Sequence, residues 1–357
     1  IVHMKPFHSL LQMIDTLHTE EDCRLYLEDM RWHGEPVCPH CGSISKHHYK
    51  RKQNGEFKGL YKCKDCRERF TVRIGTMFED SNLPLKKWFY AIFLFLAHKR
   101  GISSCQLARD IHVTQKTAWF MLHRIRHNIK KDDTTFEADT QVDETYVGGK
   151  TKRNKGGQGR STKQKTPVMG LLSKGKVYTQ VIADASAKVL LNVIDRLVKK
   201  GTTVISDGWS GYNSVKENYI HEVVQHSLGI YVNKKGYHTN GIEGYWSHFK
   251  RMIIGIYYLV SPKHLPKYCK ESEFRYNTRN ISDGERFNQF LQQPTERLYY
   301  GELLMKRTLT GLGLVLLFSF MLLSPKAVFS GASSGLLLWF QTILPTLFPF
   351  LLVSNLL

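Results

Sequence analysis

Three acidic residues stand in contexts where they could act together. Asp143 lies in Gln141-Val-Asp-Glu-Thr-Tyr-Val147, Asp207 ends the run Thr203-Val-Ile-Ser-Asp207, and Glu243 follows Asp207 after 35 intervening residues. Glu243 belongs to His238-Thr-Asn-Gly-Ile-Glu-Gly-Tyr-Trp-Ser-His-Phe-Lys-Arg251, which reads as the start of a helix. Two strand-borne aspartates and a helix-borne glutamate can cluster two divalent ions for in-line phosphoryl transfer. Lys250 comes seven residues after Glu243. At about 100° per residue that spacing returns to the same helix face, where an ammonium can position a phosphate. Tyr245 and Trp246 lie beside it.

Such a site needs a scaffold that makes two strands neighbours. The Asp143 run, Pro167–Leu172 and Lys176–Ala183 have the composition of three strands in a meander. Ala187–Val198 repeats its apolar residues with a helical period, and Thr202–Ser206 is a fourth strand leading into Asp207. Three antiparallel strands, a helix, a further strand and more helix is the order of a ribonuclease-H-like α/β fold, a mixed sheet flanked by helices. Its first and fourth strands are adjacent, so Asp143 and Asp207 are predicted to converge. The basic loop Lys150–Arg160 after the first strand reads either as a DNA-contacting hairpin loop, through Lys150, Lys152 and Arg153, or as a solvated surface loop. His221, His226 and His238 could aid the site, but each reads first as a satisfied structural histidine.

The chain has 357 residues, enough for two or three domains, and a formal charge of +20 with a pI near 9.6. That surplus favours a polyanionic partner, nucleic acid first. Cys38-Pro-His-Cys41 and Cys63-Lys-Asp-Cys66, with 21 residues between the pairs, have the spacing of two knuckles holding a closed, structural zinc. Cysteine usage of this kind and the lack of a signal-peptide pattern fit a reducing cytoplasm. Between Lys86 and Arg126 the pattern is helical: a buried helix ended by Gly101, then two helices capped by Ser103 and Thr114. The last pair fits a helix-turn-helix, with Gln115, Lys116 and Thr117 facing base edges and Arg124 and Arg126 meeting phosphates. Arg251 joins this DNA-binding set. The predicted order is a helical lead-in over 1–35, a zinc ribbon over 36–80, a helix-turn-helix over 84–130, and a ribonuclease-H-like domain over 138–304.

The combination of zinc ribbon, helix-turn-helix, Val-Asp-Glu-Thr-Tyr-Val-Gly-Gly, Ser-Asp-Gly-Trp and His-Thr-Asn-Gly-Ile-Glu-Gly-Tyr-Trp-Ser-x-x-Lys-Arg resembles the ISXO-type insertion-sequence transposases (the IS-fifteen-ninety-five family) over about residues 5–304. The resemblance implies a DDE-type enzyme using two magnesium or manganese ions on the terminal inverted repeats of its own element and on target DNA. It implies a homo-oligomer on DNA, and it carries the two aspartate roles to Asp143 and Asp207. An Asn often stands where other families have the third acid, which points to Asn240; Glu243 has the anionic chemistry, and Lys250 then completes an E-x₆-K spacing. Glu243 is taken as the third group, with Asn240 as its rival. A reading from another class is a zinc-ribbon/helix-turn-helix DNA-binding protein with a dead catalytic domain, acting as a repressor of transposition.

Composition changes after Leu304. Leu309–Leu323 is apolar apart from Thr310, Gly311, Gly313 and Ser319, and residues 327–357 carry no charge. This hydrophobic tail (305–357) is long enough to predict a transmembrane helix and a possible tether for an otherwise nucleoid-associated protein. Gly335–Ser354 is similar to the start of sporulation integral membrane proteins of the nucleoside-recognition (Gate) group, which implies a gene fusion near Met305.

Overall fold

The computed structural model describes residues 7–130, 135–148, 165–304, 316 and 318–345. The chain divides into two compact units, Ile1–Leu298 and Tyr299–Leu357.

The first unit opens with helices α1 (Leu10–Thr16) and α2 (Glu20–Trp32). Thr19 and Asp22 cap α2 reciprocally, each side chain satisfying the other's free amide. A small antiparallel sheet follows: β1 (Tyr49–Gln53), β2 (Glu56–Lys62) and β3 (Arg69–Phe70) in that order. Next come α3 (Leu85–Ala97), α4 (Ser104–Asp110) and α5 (Gln115–Asn128). The hydroxyls of Ser103 and Thr114 accept from the amides of Gln106 and Thr117, which starts α4 and α5 where the sequence places them.

The larger sheet contains β4 (Thr140–Val147), β5 (Thr166–Ser173), β6 (Lys176–Val181), β7 (Thr203–Asp207) and β8 (Ile220–Val224), ordered β6-β5-β4-β7-β8. β4, β5 and β6 pair antiparallel, whereas β7 runs parallel to both β4 and β8. This is the predicted ribonuclease-H-like order. α6 (Ala187–Leu197) covers one face, where Leu190 and Ile194 pack with Val142 and Val204. α7 (Asn240–Met252) and α8 (Leu265–Asn277) cover the other, where Ile242, Trp246 and Phe249 pack with Val147 and Val168.

The last helix of the unit, α9 (Asp283–Gln292), returns to the beginning of the chain. Phe287 packs tilted or edge-on among Phe7, Phe89 and Phe93, at centroid distances of 5.2, 5.6 and 6.1 Å. One core therefore joins the N-terminal helices, the small sheet, α3 to α5 and α9. Gly284 is required at this closure, because a Cβ there would lie 1.5 Å from the Phe7 carbonyl oxygen.

A buried ion network links the same helices to the large sheet. Glu271 on α8 is fully buried and receives Arg126 Nε of α5 at 2.7 Å and Arg275 Nη2 at 2.7 Å. Arg275 also donates to the carbonyl oxygens of Phe95 and His98, which finish α3. Further along α8, Glu273 accepts from the Thr179 amide at 2.7 Å, and Asn277 exchanges hydrogen bonds with the Val177 backbone. α8 is thus fastened to β6 on one side and to the α3–α5 bundle on the other.

The second unit holds α10 (Tyr300–Leu304) and α11 (Pro325–Leu338), the latter followed by a π-helical turn over Trp339–Ile343. Residues 305–315, 317 and 346–357 of the tail predicted to hold a transmembrane helix lie outside the described residues; among the described ones, no helix is long and apolar enough to cross a membrane. α11 has 14 residues. The helical path continues through the π-helical turn to residue 345, where the described residues end.

Burial alone would raise the Glu271 carboxyl, but the Arg126 and Arg275 charges hold it below its ordinary value. Its stabilisation is therefore present above the usual carboxylate range and lost as pH falls through the lower native value. Glu271→Ala, which strands two buried guanidinium groups, is expected to destabilise the protein by about 3–5 kcal/mol. Denaturant unfolding at pH 7 checks this; a loss below about 1 kcal/mol would be that of an exposed pair.

Candidate active site and cysteine cluster

β4 alternates its side chains between the two faces of the sheet. Val142 enters the core under α6, and Glu144 on that face accepts from the Tyr212 hydroxyl at 2.8 Å. Gln141 and Asp143 point to the α7 side. The parallel register pairs Gln141 with Ile205. Two residues further along both strands stand Asp143 and Asp207, on the same face of adjacent strands. Asp207 Oδ1 accepts from the Trp209 amide at 3.0 Å, which shapes the turn leaving β7.

α7 lies close over this part of the sheet because Gly170 of β5 is the partner of Asp143. A Cβ at Gly170 would come within 2.6 Å of Trp246 Cζ2. Gln141 fastens the helix start: its Oε1 accepts from the Ile242 amide at 2.9 Å, and its Nε2 lies 3.5 Å from His238 Nδ1. Glu243 in the first turn of α7 accepts from the Thr239 hydroxyl at 2.8 Å and lies 3.3 Å from His226 Nε2. Asn240 is exposed at the first residue of α7, and Lys250 and Arg251 are exposed in its last turn.

The electrostatics register the grouping of acids. Burial pushes the Asp143 carboxyl up to about 7, and the charges of Glu144, Asp207 and Glu243 add to it. The three carboxylates are spread more widely than one ion's shell. Among the described residues, the one set of three or more possible metal ligands within 4.8 Å of one another is the four cysteines. A cavity of about 210 Å³ beside Gln141, walled by Asp139, Ile205, Tyr237 and His238, lies towards the beginning of β4 and does not include the acids.

Cys38, Cys41, Cys63 and Cys66 converge, with Cys38 Sγ to Cys66 Sγ and Cys41 Sγ to Cys63 Sγ both 3.7 Å. Four thiolates at 2.3 Å from a tetrahedral zinc would be separated by about 3.8 Å, so the donor set fits that ion. The Cys63 thiol lies at about 6: burial raises it, and hydrogen bonds from the Cys66 and Asp65 amides outweigh that effect. His48 turns its ring to the Ser43 carbonyl and the Lys64 amide, bracing the knuckles without joining the four.

Apart from Arg251, exposed at the end of α7, the expected DNA-binding residues separate into three groups. Gln115 and Lys116 are exposed and Thr117 half-exposed at the start of α5, with Gln115 tied to Ser104 at 2.8 Å. Lys150, Lys152 and Arg153 lie outside the described residues. Arg124 and Arg126 do not face DNA. Arg124 is buried and donates to the carbonyl oxygens of Met77, Glu79 and Leu298, and Arg126 is buried against Glu271 with Tyr268 4.2 Å from its guanidinium carbon. Arg124 is held by backbone carbonyls and Arg126 by the Glu271 carboxylate and the surrounding aromatic rings, all on the packed side of α5.

Gln141, Glu144, Tyr212 and Thr239 went unmarked in the sequence reading. Only Gln141 carried a usable signal there, since it is two residues from Asp143 and so shares its face. His221 is the structural histidine expected, at 2.8 Å from Ser206 Oγ, whereas His226 touches Glu243. For the cysteines, a strong chelator is expected to remove one zinc per chain and lower the melting temperature. Metal analysis alongside thermal unfolding checks this, and Cys63→Ser should bring the same destabilisation without chelator.

Comparison with known proteins accords with these features. Residues 138–277 match an ISXO2-like transposase domain, and residues 18–69 match a transposase zinc-ribbon domain. A protein in transposable element ISH50 of Halobacterium salinarum is 29% identical over 259 residues, covering 67% of this chain and 85% of that protein. A transposase-like protein of Haemophilus influenzae is 30% identical over 109 residues, 30% of this chain and 86% of that protein. The crystal structure of the Mos1 mariner paired end complex with Mn overlaps 60% of this chain and 85% of its own, at 11% identity and a TM-score of 0.24, a distant overlap. Neither matched domain extends into the apolar tail. The chain belongs to the transposase family and carries a transposase zinc ribbon followed by an ISXO2-like transposase domain.

Proposed function

We propose that this chain is the DNA transposase of an insertion sequence, binding terminal inverted repeats and catalysing metal-dependent cleavage and strand transfer at Asp143, Asp207 and Glu243. The observation that carries this reading is the placing of Asp143 beside Asp207 on adjacent strands with Glu243 over them, where burial first and then the neighbouring acidic charges push the Asp143 carboxyl up to about 7. Neighbouring carboxylates left to repel one another suit a site completed by cations. Magnesium or manganese would be held by Asp143, Asp207 and Glu243, and would lower the pKa of an attacking hydroxyl and stabilise the leaving oxygen.

The chain's own residues prepare that chemistry. The β4–β7 register supports Asp143 and Asp207 as a fixed pair. Gln141 sets the height of α7 over them, and Thr239 and His226 orient the Glu243 carboxylate. Glu243 is favoured over Asn240 as the third group, because its charge acts on Asp143. Lys250, about 10 Å further along the helix axis, suits a DNA phosphate rather than an ion. The start of α5, with Gln115, Lys116 and Thr117, is the proposed base-reading edge. The tail after residue 304 is proposed to be a fused segment that the chemistry does not use.

Strand transfer of terminal-repeat DNA by the full chain, in magnesium and in manganese, tests the assignment. Asp207→Asn and Glu243→Gln are expected to abolish transfer while DNA binding persists, and Asn240→Ala is expected to retain it. Transfer by Asp207→Asn would overturn the site. DNA binding without transfer by the wild-type chain would favour a repressor.

The metal-free protein offers an independent check on Asp143. Its native pKa is raised, so the wild type should gain stability as pH falls from about 7 into the ordinary carboxylate range, and lose it above. At pH 8, Asp143→Asn should stabilise the metal-free chain by on the order of 1–3 kcal/mol, a gain that shrinks on acidification. Thermal unfolding at pH 5 and pH 8 measures both.

A further inference from the structure

The chain leaving α7 does not simply turn towards α8. Ile253–Tyr257 forms a π-helical turn, and Tyr258 follows with φ 61° and ψ −58°. The Leu259 amide donates to the Tyr257 carbonyl at 2.7 Å, so Tyr258 is the apex of a γ-turn with positive φ, a conformation that strains any residue bearing a Cβ. Burial does not reward this strain, because Tyr258 is 87% exposed and Ile254 and Leu259 are each 67% exposed.

The turn is nevertheless held firmly. Tyr257 donates to the buried Glu271 at 2.5 Å and lies 4.8 Å from the Arg126 guanidinium carbon. Downstream, His264 packs against Trp119 and His123 of α5, with centroids 6.0 and 4.8 Å apart. Around the apolar tip in sequence, Lys250, Arg251 and Lys263 are all exposed. A rigid aromatic and aliphatic tip, bordered by cations and anchored to the helix proposed to read DNA, matches the chemistry of duplex DNA: charge for the phosphates and a flat ring for the base stack.

We infer that the Ile254–Leu259 turn is a DNA-contacting wedge, in which Tyr258 inserts into the base stack of the bound duplex while Lys250, Arg251 and Lys263 hold the flanking phosphates. The inference rests on the DNA-binding reading given above and adds a second contact between α5 and the acidic site. Its place in the chain, after α7, lets one duplex be held both by the recognition helix and beside the catalytic helix.

The test uses the full chain with a fluorescein-labelled duplex of the inverted repeat flanking its coding sequence, and matching duplexes carrying 2-aminopurine at successive positions. Tyr258→Ala should weaken binding about tenfold, the usual loss for one aromatic stacking contact, and Tyr258→Phe should bind as the wild type does. A 2-aminopurine signal confined to one or two adjacent positions should be present in the wild type and absent in Tyr258→Ala. Tyr258→Gly should raise the melting temperature, by relieving the turn, while weakening DNA binding; a purely structural role would not separate the two. Unchanged affinity in Tyr258→Ala without a local fluorescence signal would overturn the wedge alone. Failure of the wild-type chain to bind the duplex would overturn the wedge and the proposed function together. Altered self-association of Tyr258→Ala without DNA, at unchanged duplex affinity, would assign the tip to a second copy of the chain and overturn the inference.

Discussion

The geometry of the first unit depends on one buried carboxylate. Glu271 lies between Arg126 of the α5 helix and Arg275 of its own helix, with the Tyr257 hydroxyl completing its contacts. A buried ion network of this kind adds little net stability over an apolar core, since desolvation offsets much of the attraction. Its contribution is directional: bonds to a planar guanidinium restrict the angle as well as the distance. Through Arg275 the network reaches the end of α3, through Arg126 it reaches α5, and through α8 it reaches β6. The orientation of α5 relative to the acid-bearing sheet is therefore specified at Glu271, and so is the anchor of the exposed turn after α7.

The site itself follows the opposite economy. Around Asp143 burial and the neighbouring acids act together, and its carboxyl rises instead of falling. Glu271 and Asp143 are both carboxylates withdrawn from water, yet their shifts have opposite signs because one is paired with arginines and the other is grouped with like charges. That contrast distinguishes an acid used for architecture from one suited to holding ions. The neutral residues around the site matter as much: Gly170 lets α7 approach, and Gln141 ties its first turn to the strand bearing Asp143.

The first unit closes on itself through α9. Phe287 fills a pocket made by Phe7, Phe89 and Phe93, so residues near the end of the transposase part complete the core that supports the cysteine ribbon and α3 to α5. A linear order of lead-in, ribbon, helix-turn-helix and catalytic domain describes the sequence well. The packing, by contrast, is shared across those segments, because apolar burial takes no account of order along the chain.

Local signals in the sequence were sufficient for much of this protein. Caps at Thr19, Ser103 and Thr114, the two C-x-x-C pairs, the alternation in β4 and the order of strands and helices all depend on residues near one another in the chain, and each appears where its spacing indicates. The neighbouring positions of Asp143 and Asp207 were legible too, since the strand order implies them. What the sequence alone left undecided required partners distant in the chain. Arg124 and Arg126 looked like phosphate ligands because a basic helix has no intrinsic inside; Met77, Glu79, Leu298 and Glu271 turned that side inward. Gln141 and His226 gained their places beside the acids only when α7 docked on the sheet. The apolar tail carried enough hydrophobicity for a membrane span, but no helix among its described residues is long and apolar enough to make one. Composition and short-range spacing determined the elements and their chemistry, whereas tertiary packing decided which charges were compensated, because compensation depends on distance in space and not along the chain.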